Sequence, residues 1–320
     1  MAVSLRKASE TVIRRCMDVR EGEEVLIVVD AKSRRIGESL FGVCCEVKAE
    51  AILVEIVERD LNGEEPPETV AVAMKSSNVV IAPTTKSLSH TSARREASKL
   101  GVRIASMPGI TEEMMRRTMS SDYGRIGSLS TRLAEALSRG STARVTSPGG
   151  TDITVSIEGR DGLADTGMLQ SPGSFGNLPA GEAYIAPLEG SAGGTIVIDG
   201  AMAGIRELDE PIFAVVENGE LKEIRGGQAA RQLTEMIEKT QGRSARNLAE
   251  LGIGTNENAG LSGSLLEVEK VLGTVHFAFG DNISLGGQVK APIHVDGVVL
   301  KPTLVIDGTT WVRDGAILLK

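Results

Sequence analysis

The sequence predicts an α/β protein, with an N-terminal, doubly wound and mostly parallel sheet domain followed by a β-rich α+β domain. Over the first 120 residues, short runs of β-branched residues alternate with amphipathic segments of helical length, as in successive βαβ units. After about residue 140, glycine-rich turns separate short strands, which is typical of antiparallel sheets. Because 320 residues fit two domains of roughly 150 residues each, we predict domains over residues 1–140 and 141–320.

The elements of the N-terminal domain follow from the spacing of its apolar residues. Helices are predicted over residues 4–19, 34–47, 68–75, 89–100, 111–118 and 125–139. Strands are predicted over residues 24–29, 51–57, 78–82 and 102–106. The helix at Thr111 has a well-marked start, because this residue can cap it and Glu112 and Glu113 lie at the positive end of its dipole.

The second domain has shorter elements. Strands are predicted over residues 152–157, 195–198 and 212–216, and one helix over residues 229–239 interrupts them. Turns such as Pro148-Gly149-Gly150 bound these strands. This part is therefore predicted to be largely antiparallel.

Composition excludes several classes of function. A net charge of −8 argues against a nucleic-acid-binding surface, because phosphate contacts need clustered Lys and Arg. No apolar run is long enough to cross a membrane and the N-terminus has no apolar signal core, so we expect a cytoplasmic protein with no membrane partner. The cysteines are odd in number (Cys16, Cys44 and Cys45), which argues against a disulfide framework.

Two of the three histidines lie in the last fifth of the chain. His294 and Asp296 are two residues apart in an apolar segment, so on a strand both side chains point to the same face, about 6.6 Å apart at Cα. An imidazole and a carboxylate at this spacing can bind one metal ion. His276 lies in a second apolar segment, where it is predicted to face opposite to Phe277 and Phe279. The third histidine, His90, is expected at the surface.

Two glutamates can complete a metal site. Glu182 follows a turn and opens an apolar run, and Glu250 is the only charge in an apolar, glycine-bearing stretch. A charge in such surroundings is either paired or bound to an ion. Glu269 is a weaker candidate, a solvated charge or a partner of a ligand. A nucleotide cofactor is disfavoured, because no glycine follows the first strand and no phosphate-binding loop motif occurs.

The order of these motifs resembles the thermophilic metalloaminopeptidase family, of the aminopeptidase T type. The resemblance covers most of the chain and is carried by five segments, residues 106–111, 177–182, 249–252, 276–280 and 294–296. It implies an α/β N-terminal domain, a β-rich catalytic domain, a homodimer and a pair of divalent metal ions, zinc, cobalt or manganese. The implied metal ligands are Glu182, Glu250, His276, His294 and Asp296.

This resemblance implies hydrolysis of N-terminal residues from small peptides by a metal-activated water. In such a centre one carboxylate bridges the two ions and another group passes protons, so Glu182 and Glu250 are the candidate catalytic residues. Which of them bridges and which acts as base stays open.

Two differences from the metalloaminopeptidase family favour an alternative function. The family's metal-binding tyrosine is missing from the stretch Gly280-Asp281-Asn282-Ile283-Ser284, and the segment between His276 and His294 is short. Both features resemble a relative on the same scaffold, the dihydroxypyridine dioxygenases, in which two histidines and an aspartate hold one ferrous ion. His276, His294 and Asp296 would then suffice. A third interpretation is a metal- or ligand-binding protein without catalytic activity. Two glutamates within bonding reach of the histidines would favour the hydrolase, and none would favour iron.

Overall fold

The computed structural model describes residues 3–205, 208–261 and 265–318. The helices, in chain order, are α1 (Leu5–Glu10), α2 (Arg34–Glu46), α3 (Glu68–Ser76), α4 (Ser92–Lys99), α5 (Glu112–Thr118), α6 (Tyr123–Arg139), α7 (Gln228–Glu238) and α8 (Leu265–Val268). A π-helical segment (Thr11–Cys16) follows α1, and two 3₁₀ turns span Arg243–Arg246 and Ile283–Leu285.

The strands alternate regularly with helices over the first third of the chain. In chain order they are β1 (Glu24–Val29), β2 (Glu50–Glu55), β3 (Val79–Ala82), β4 (Arg103–Ser106), β5 (Thr142–Thr146), β6 (Asp152–Ser156), β7 (Leu163–Asp165), β8 (Phe175–Asn177), β9 (Glu182–Ile185), β10 (Gly193–Ile198), β11 (Ala201–Met202), β12 (Ile212–Glu217), β13 (Glu220–Arg225), β14 (Leu248–Gly254), β15 (Val275–Gly280), β16 (His294–Val299), β17 (Thr303–Ile306), β18 (Thr309–Arg313) and β19 (Ala316–Ile317).

The chain forms two compact units. The first comprises the residues up to Arg125 together with Gly167–Ala180, and the second comprises Ile126–Thr166 and the residues from Gly181 onward. Each unit thus contains two separate stretches of chain. The boundary predicted near residue 140 separates two domains that fold independently. The compact units do not test independent folding, so this boundary stays a prediction.

A parallel sheet forms the first unit. Its strand order is β2-β1-β3-β4-β8, and each neighbouring pair is parallel. β1 and β3 are almost fully buried, as expected for strands covered on both faces. Apolar residues of these strands pack with the buried faces of α3 and α4.

Two antiparallel sheets form the second unit. One has eight strands in the order β13-β12-β10-β6-β5-β17-β18-β19, and the other has six in the order β11-β16-β15-β14-β9-β7. Apolar side chains from one face of each sheet, with those of α6 and α7, form one continuous core. The α/β class predicted from the sequence, a parallel sheet followed by β-rich antiparallel structure, is confirmed.

Two predicted helices differ from those observed. The segment predicted as one helix over residues 4–19 changes to π-helical geometry at Thr11, where the amide of Met17 donates to the carbonyl of Val12 at 2.9 Å. The helix predicted from residue 89 begins at Ser92, because the hydroxyl of Thr91 caps it by accepting from the amide of Arg94. Within the described ranges, no helix is long and apolar enough to span a bilayer.

The three thiols are expected to differ in reactivity. Cys45 is exposed, whereas Cys16 and Cys44 are buried, and burial raises the pKa of the Cys44 thiol to about 12. Because the thiolate is the reactive form, we expect an aromatic disulfide reagent to modify one thiol in the native protein and three after denaturation. The Cys45→Ser variant should lose only the fast reaction. Modification of Cys44 at the rate of Cys45 would contradict this placement.

Candidate metal centre

The six-stranded sheet presents one apolar face and one charged face. In β14, Leu251 and Ile253 belong to the core, so Glu250 lies on the opposite face. In β15, Phe277 and Phe279 likewise lie in the core and His276 faces the other way, as predicted. The alternation of side chains therefore brings the charged residues of separate strands to the same surface.

Strand register brings these side chains together. Ala278 pairs with Glu250 on one side and with Asp296 on the other, so the two carboxylates flank one small residue. His276 pairs with Gly252, and Glu182 pairs with Gly254. The small residues at these positions leave space above the sheet for the charged side chains.

One group of ligand atoms, here called the outer group, contains Glu250, His294 and Asp296. The Nε2 atom of His294 lies 3.1 Å from Oε2 of Glu250 and 3.5 Å from Oδ1 of Asp296. Its Nδ1 lies 2.7 Å from the carbonyl oxygen of Asp281, to which it donates a hydrogen bond. This bond orients the ring so that Nε2 faces the carboxylates. The His294 side chain is 32% exposed, so solvent reaches this group.

The second group, here called the inner group, contains Glu182, Glu250 and His276. The Nε2 atom of His276 lies 3.2 Å from Oε1 of Glu250 and 3.4 Å from Oε2 of Glu182. All three residues are buried. Two buried atoms of this group, Oε2 of Glu182 and Nδ1 of His276, have no hydrogen-bond partner among the described residues. Glu250 belongs to both groups, one oxygen facing each.

The spacing of these atoms fits metal coordination. In each group the ligand atoms lie within 4.8 Å of one another. Two atoms bound to one ion at roughly 2.1 Å are about 3.0 to 3.4 Å apart, for bond angles between a right angle and the tetrahedral angle. Three of the four N–O separations in the two groups, 3.1 to 3.4 Å, fall in this range, and the fourth, between His294 and Asp296, is 3.5 Å. Together with the imidazole and carboxylate donors, they indicate that a metal ion fits here.

Lys270 adds a buried ammonium group beside the inner group. Its Nζ lies 3.1 Å from Oε1 of Glu182, 2.5 Å from Oε1 of Glu269 and 3.9 Å from Oδ2 of Asp165, and its side chain is 1% exposed. Neither Lys270 nor Asp165 is predicted from the sequence to belong to the site. Neither residue can be recognised as part of the site from the local sequence, because its neighbours along the chain do not indicate which distant strand its side chain contacts.

Charges within the cluster set its protonation. Burial acts to raise the pKa of Glu250, but hydrogen bonds from His276 and His294 outweigh it and lower this pKa to about 2. Burial acts to lower the pKa of His276, but Glu250 and Glu182 outweigh it and raise this pKa to about 9. Burial also raises the pKa of Glu182 to about 8, against the charge of Lys270. A metal ion must therefore displace protons from the imidazoles, and its affinity falls as the pH falls.

Gly252 is expected to be essential to the placement of His276. A Cβ atom on Gly252 would lie 2.0 Å from Nε2 of His276, so the Gly252→Ala variant must displace the imidazole. We expect metal affinity to fall about 10- to 100-fold, as when a group that orients a ligand is lost. Titration of the metal-free variant with Mn²⁺ would measure this loss.

The control is Gly42→Ala, because no atom lies within 4 Å of a Cβ atom there. Gly42 is in the interior of α2, where alanine is the better helix former. This variant should bind Mn²⁺ as the wild type does. Unchanged affinity in Gly252→Ala would mean that His276 has no part in the metal centre.

All five residues predicted from the sequence as ligands converge on one sheet face. The structure brings Glu182, Glu250 and His276 into one group and Glu250, His294 and Asp296 into the other. The predicted iron set of His276, His294 and Asp296 is not one of these groups, because Glu250 lies between the two imidazoles. Glu269 contacts Lys270 instead of an imidazole, and His90 is exposed. That these atoms bind metal stays a prediction.

The sequence as a whole matches one family. The profile of the family described as NicX, 2,5-dihydroxypyridine 5,6-dioxygenase, matches residues 4–319. The chain belongs to the 2,5-dihydroxypyridine 5,6-dioxygenase family. This family member is 24% identical over 259 residues to the 2,5-dihydroxypyridine 5,6-dioxygenase of Pseudomonas putida, an alignment covering 77% of this chain and 72% of that protein.

Two solved structures share the fold of this dioxygenase family member. The 2,5-dihydroxypyridine dioxygenase from Pseudomonas putida KT2440 superposes with a TM-score of 0.83 at 19% identity, covering 99% of both chains. Wild-type AmpT from Thermus thermophilus superposes with a TM-score of 0.74 at 17% identity, covering 98% of this chain and 99% of that one. At these identities the likeness shows the fold alone.

Membership of the dioxygenase family overturns the peptidase interpretation. The prediction of a metalloaminopeptidase, a hydrolase acting on small peptides, is wrong, because both the family profile and the curated relative are dioxygenases. The criterion that two glutamates within reach of the histidines would favour a hydrolase also fails. Glu182 and Glu250 both contact His276, although the family is not one of hydrolases. This chain shares its fold with the dioxygenase structure and with AmpT alike, so the motif resemblance did not identify the activity.

The expectation that the protein binds a metal ion is supported only in general terms. The dioxygenase family and the two groups of histidine and carboxylate atoms agree with a metal such as iron. The pair of zinc, cobalt or manganese ions was part of the peptidase interpretation and is not confirmed. The homodimer implied by the same resemblance stays a prediction.

Proposed function

We propose that this chain is an Fe(II)-dependent dioxygenase that opens the ring of a dihydroxylated pyridine. The observation that carries the proposal is the family match over residues 4–319, which includes every residue of the outer and inner groups. The donor set supports it, because imidazole and carboxylate atoms suit ferrous iron.

The outer group is the proposed iron site. Glu250, His294 and Asp296 would hold the ion there, and the exposure of His294 gives oxygen and a ring substrate a path to it. His276 is fully buried and contacts the other oxygen of Glu250, so we assign it a positioning role. This differs from the set His276, His294 and Asp296 expected for iron from the sequence. A ferrous ion bound by three protein groups keeps open positions for oxygen and for a substrate hydroxyl.

The protein groups have separate tasks in this proposal. The carbonyl of Asp281 holds the proton on Nδ1 of His294, which leaves the Nε2 lone pair directed at Glu250 and Asp296. Burial acts to raise the pKa of Glu250, but the hydrogen bond from His276 lowers it, so Glu250 stays a carboxylate. His276 keeps a proton on Nε2 for the hydrogen bond to Oε1 of Glu250, and this bond fixes the carboxylate plane.

The overall reaction needs no external reductant. The ring supplies the electrons, one carbon–carbon bond breaks, and both atoms of O₂ enter the product. The relatives are named 5,6-dioxygenases, and we infer that this chain breaks the same bond, between ring positions 5 and 6. One oxygen molecule is therefore consumed for each ring opened.

The test measures oxygen uptake with metal-free protein reloaded with Fe²⁺ under anaerobic conditions. With 2,5-dihydroxypyridine, we expect one O₂ consumed per ring and loss of the ring's near-ultraviolet absorbance. Protein loaded with Zn²⁺ is the control, because zinc holds the ligands without redox chemistry. No oxygen uptake by the Fe²⁺ form, with any dihydroxypyridine isomer, would refute the proposal.

A further inference from the structure

The inner group has the features of a second cation site. Its three ligand atoms come from Glu182, Glu250 and His276, all buried, and their separations match those around one ion. Glu250 faces the inner group with Oε1 and the outer group with Oε2, as a carboxylate does when it bridges two metal ions. The fold therefore places ligands for two cations side by side.

Lys270 lies at the inner group only. Its ammonium contacts Oε1 of Glu182, the oxygen that faces away from His276, and it also contacts Glu269. A buried lysine needs such carboxylates to offset its desolvation. One positive charge is thus already present next to the inner ligands, in surroundings where charges act strongly on one another.

The charged side chains form a continuous row that ends in this ammonium. Along it, contacts of 3.1 to 3.5 Å join Lys270 to Glu182, Glu182 to His276, His276 to Glu250, Glu250 to His294 and His294 to Asp296. His294 is the most exposed side chain of the row, at 32%, and each of the others is at most 10% exposed. A cation from solvent reaches the outer end first.

We propose that Lys270 is a built-in counter-cation that excludes a divalent ion from the inner group and so restricts the centre to one metal. The inference rests on the proposed metal centre and goes beyond it, because it assigns the stoichiometry to one residue. The Lys270 ammonium occupies Oε1 of Glu182 and repels a second divalent ion. With the ammonium removed, Glu182, Glu269 and Asp165 lose their shared partner, and a second cation takes its place.

The test counts metal ions in metal-free protein equilibrated with Mn²⁺ and then desalted. We expect one equivalent in the wild type and two in Lys270→Met, which keeps the side-chain length without the charge. Electron paramagnetic resonance gives a second readout, since two Mn²⁺ ions sharing Glu250 should give a spin-coupled signal in the variant only. The control is Arg103→Met, which also removes a buried cation from a carboxylate, Glu23 at 2.6 Å, but should stay at one equivalent.

A second variant covers the case in which Lys270→Met fails to fold. The Lys270→Met/Glu269→Gln pair removes one charge of each sign and keeps all three inner ligands, so it should also bind two equivalents. One equivalent in a folded variant, or two in the wild type, would overturn the inference. If the Fe²⁺ enzyme opened no pyridine ring while the Mn²⁺ counts were one and two, the proposed function would fail and the role of Lys270 would stand.

Discussion

Replacing His294 with alanine is expected to reduce ring opening by about a thousandfold or more, since losing groups that merely orient ligands already costs 10- to 100-fold. Nε2 of His294 lies within 3.5 Å of both Glu250 and Asp296, and it is the only imidazole of the outer group. Without it, two carboxylates remain to hold the ion. The measurement is iron content and oxygen uptake after anaerobic reloading with Fe²⁺.

The fold should survive this substitution. His294 is partly exposed, at one end of β16, and outside the apolar core, so its removal leaves no cavity there. The matched control is His90→Ala, which removes an exposed histidine that is not part of either group and should keep full iron content. A His294→Ala protein with normal iron content and turnover would show that the outer group is not the site.

The second large effect is expected for Glu250→Gln. Glu250 is the one residue common to both groups, and its oxygens contact the two imidazoles at 3.1 and 3.2 Å. The neutral amide is a weak ligand, and its nitrogen would face one imidazole. We expect metal affinity to fall at least about 100-fold, as for a lost ligand or orienting partner. Calorimetric titration with Mn²⁺ would measure it.

Glu182→Gln is the matched comparison, because it changes the other buried glutamate in the same way. Glu182 belongs to the inner group only, so this variant should retain one equivalent of metal. Equal loss of metal in the two variants would mean that the ion lies at the inner group. If Glu250→Gln bound metal as tightly as the wild type, Glu250 would not be a ligand of the metal centre.

Most elements of the fold could be predicted because local patterns specify them. The periodicity of apolar residues placed β1 at residues 24–29, where the structure has it, and α7 within one residue at each end. The first helix was less accurate, since its change to π-helical geometry at Thr11 depends on packing that periodicity does not encode. The start of α4 at Ser92 depends on which of several polar residues caps the helix. In the structure, Thr91 is the capping residue.

The set of five candidate ligands comes from the family resemblance, and some of its members also stand out in their own segments. His294 and Asp296 have the spacing of a strand chelate, and Glu250 is a lone charge among apolar residues. Lys270 could not be found in this way, because it stands in the charged sequence Glu267-Val268-Glu269-Lys270, which is typical of an exposed segment. Its side chain is 1% exposed, and only the pairing of distant strands places Glu182 beside it.

The activity was the least predictable feature. The ligand motifs and their order are compatible with a peptidase scaffold and with a dioxygenase scaffold, and AmpT and the Pseudomonas putida dioxygenase both superpose on this chain. The missing tyrosine after His276 pointed to the dioxygenase, and the family match agrees with it. Counting carboxylates near the histidines did not separate the two.

The sequence by itself determined the α/β class and the division of the chain into parallel and antiparallel parts, and its family resemblance supplied the five candidate side chains. The class and the division depend on patterns within a few residues, where alternation and periodicity assign each side chain to a face. The tertiary structure decided that Glu250 lies between the two imidazoles and that a buried ammonium faces Glu182. Such contacts join residues 88 and 26 positions apart, and only strand register brings them within bonding distance.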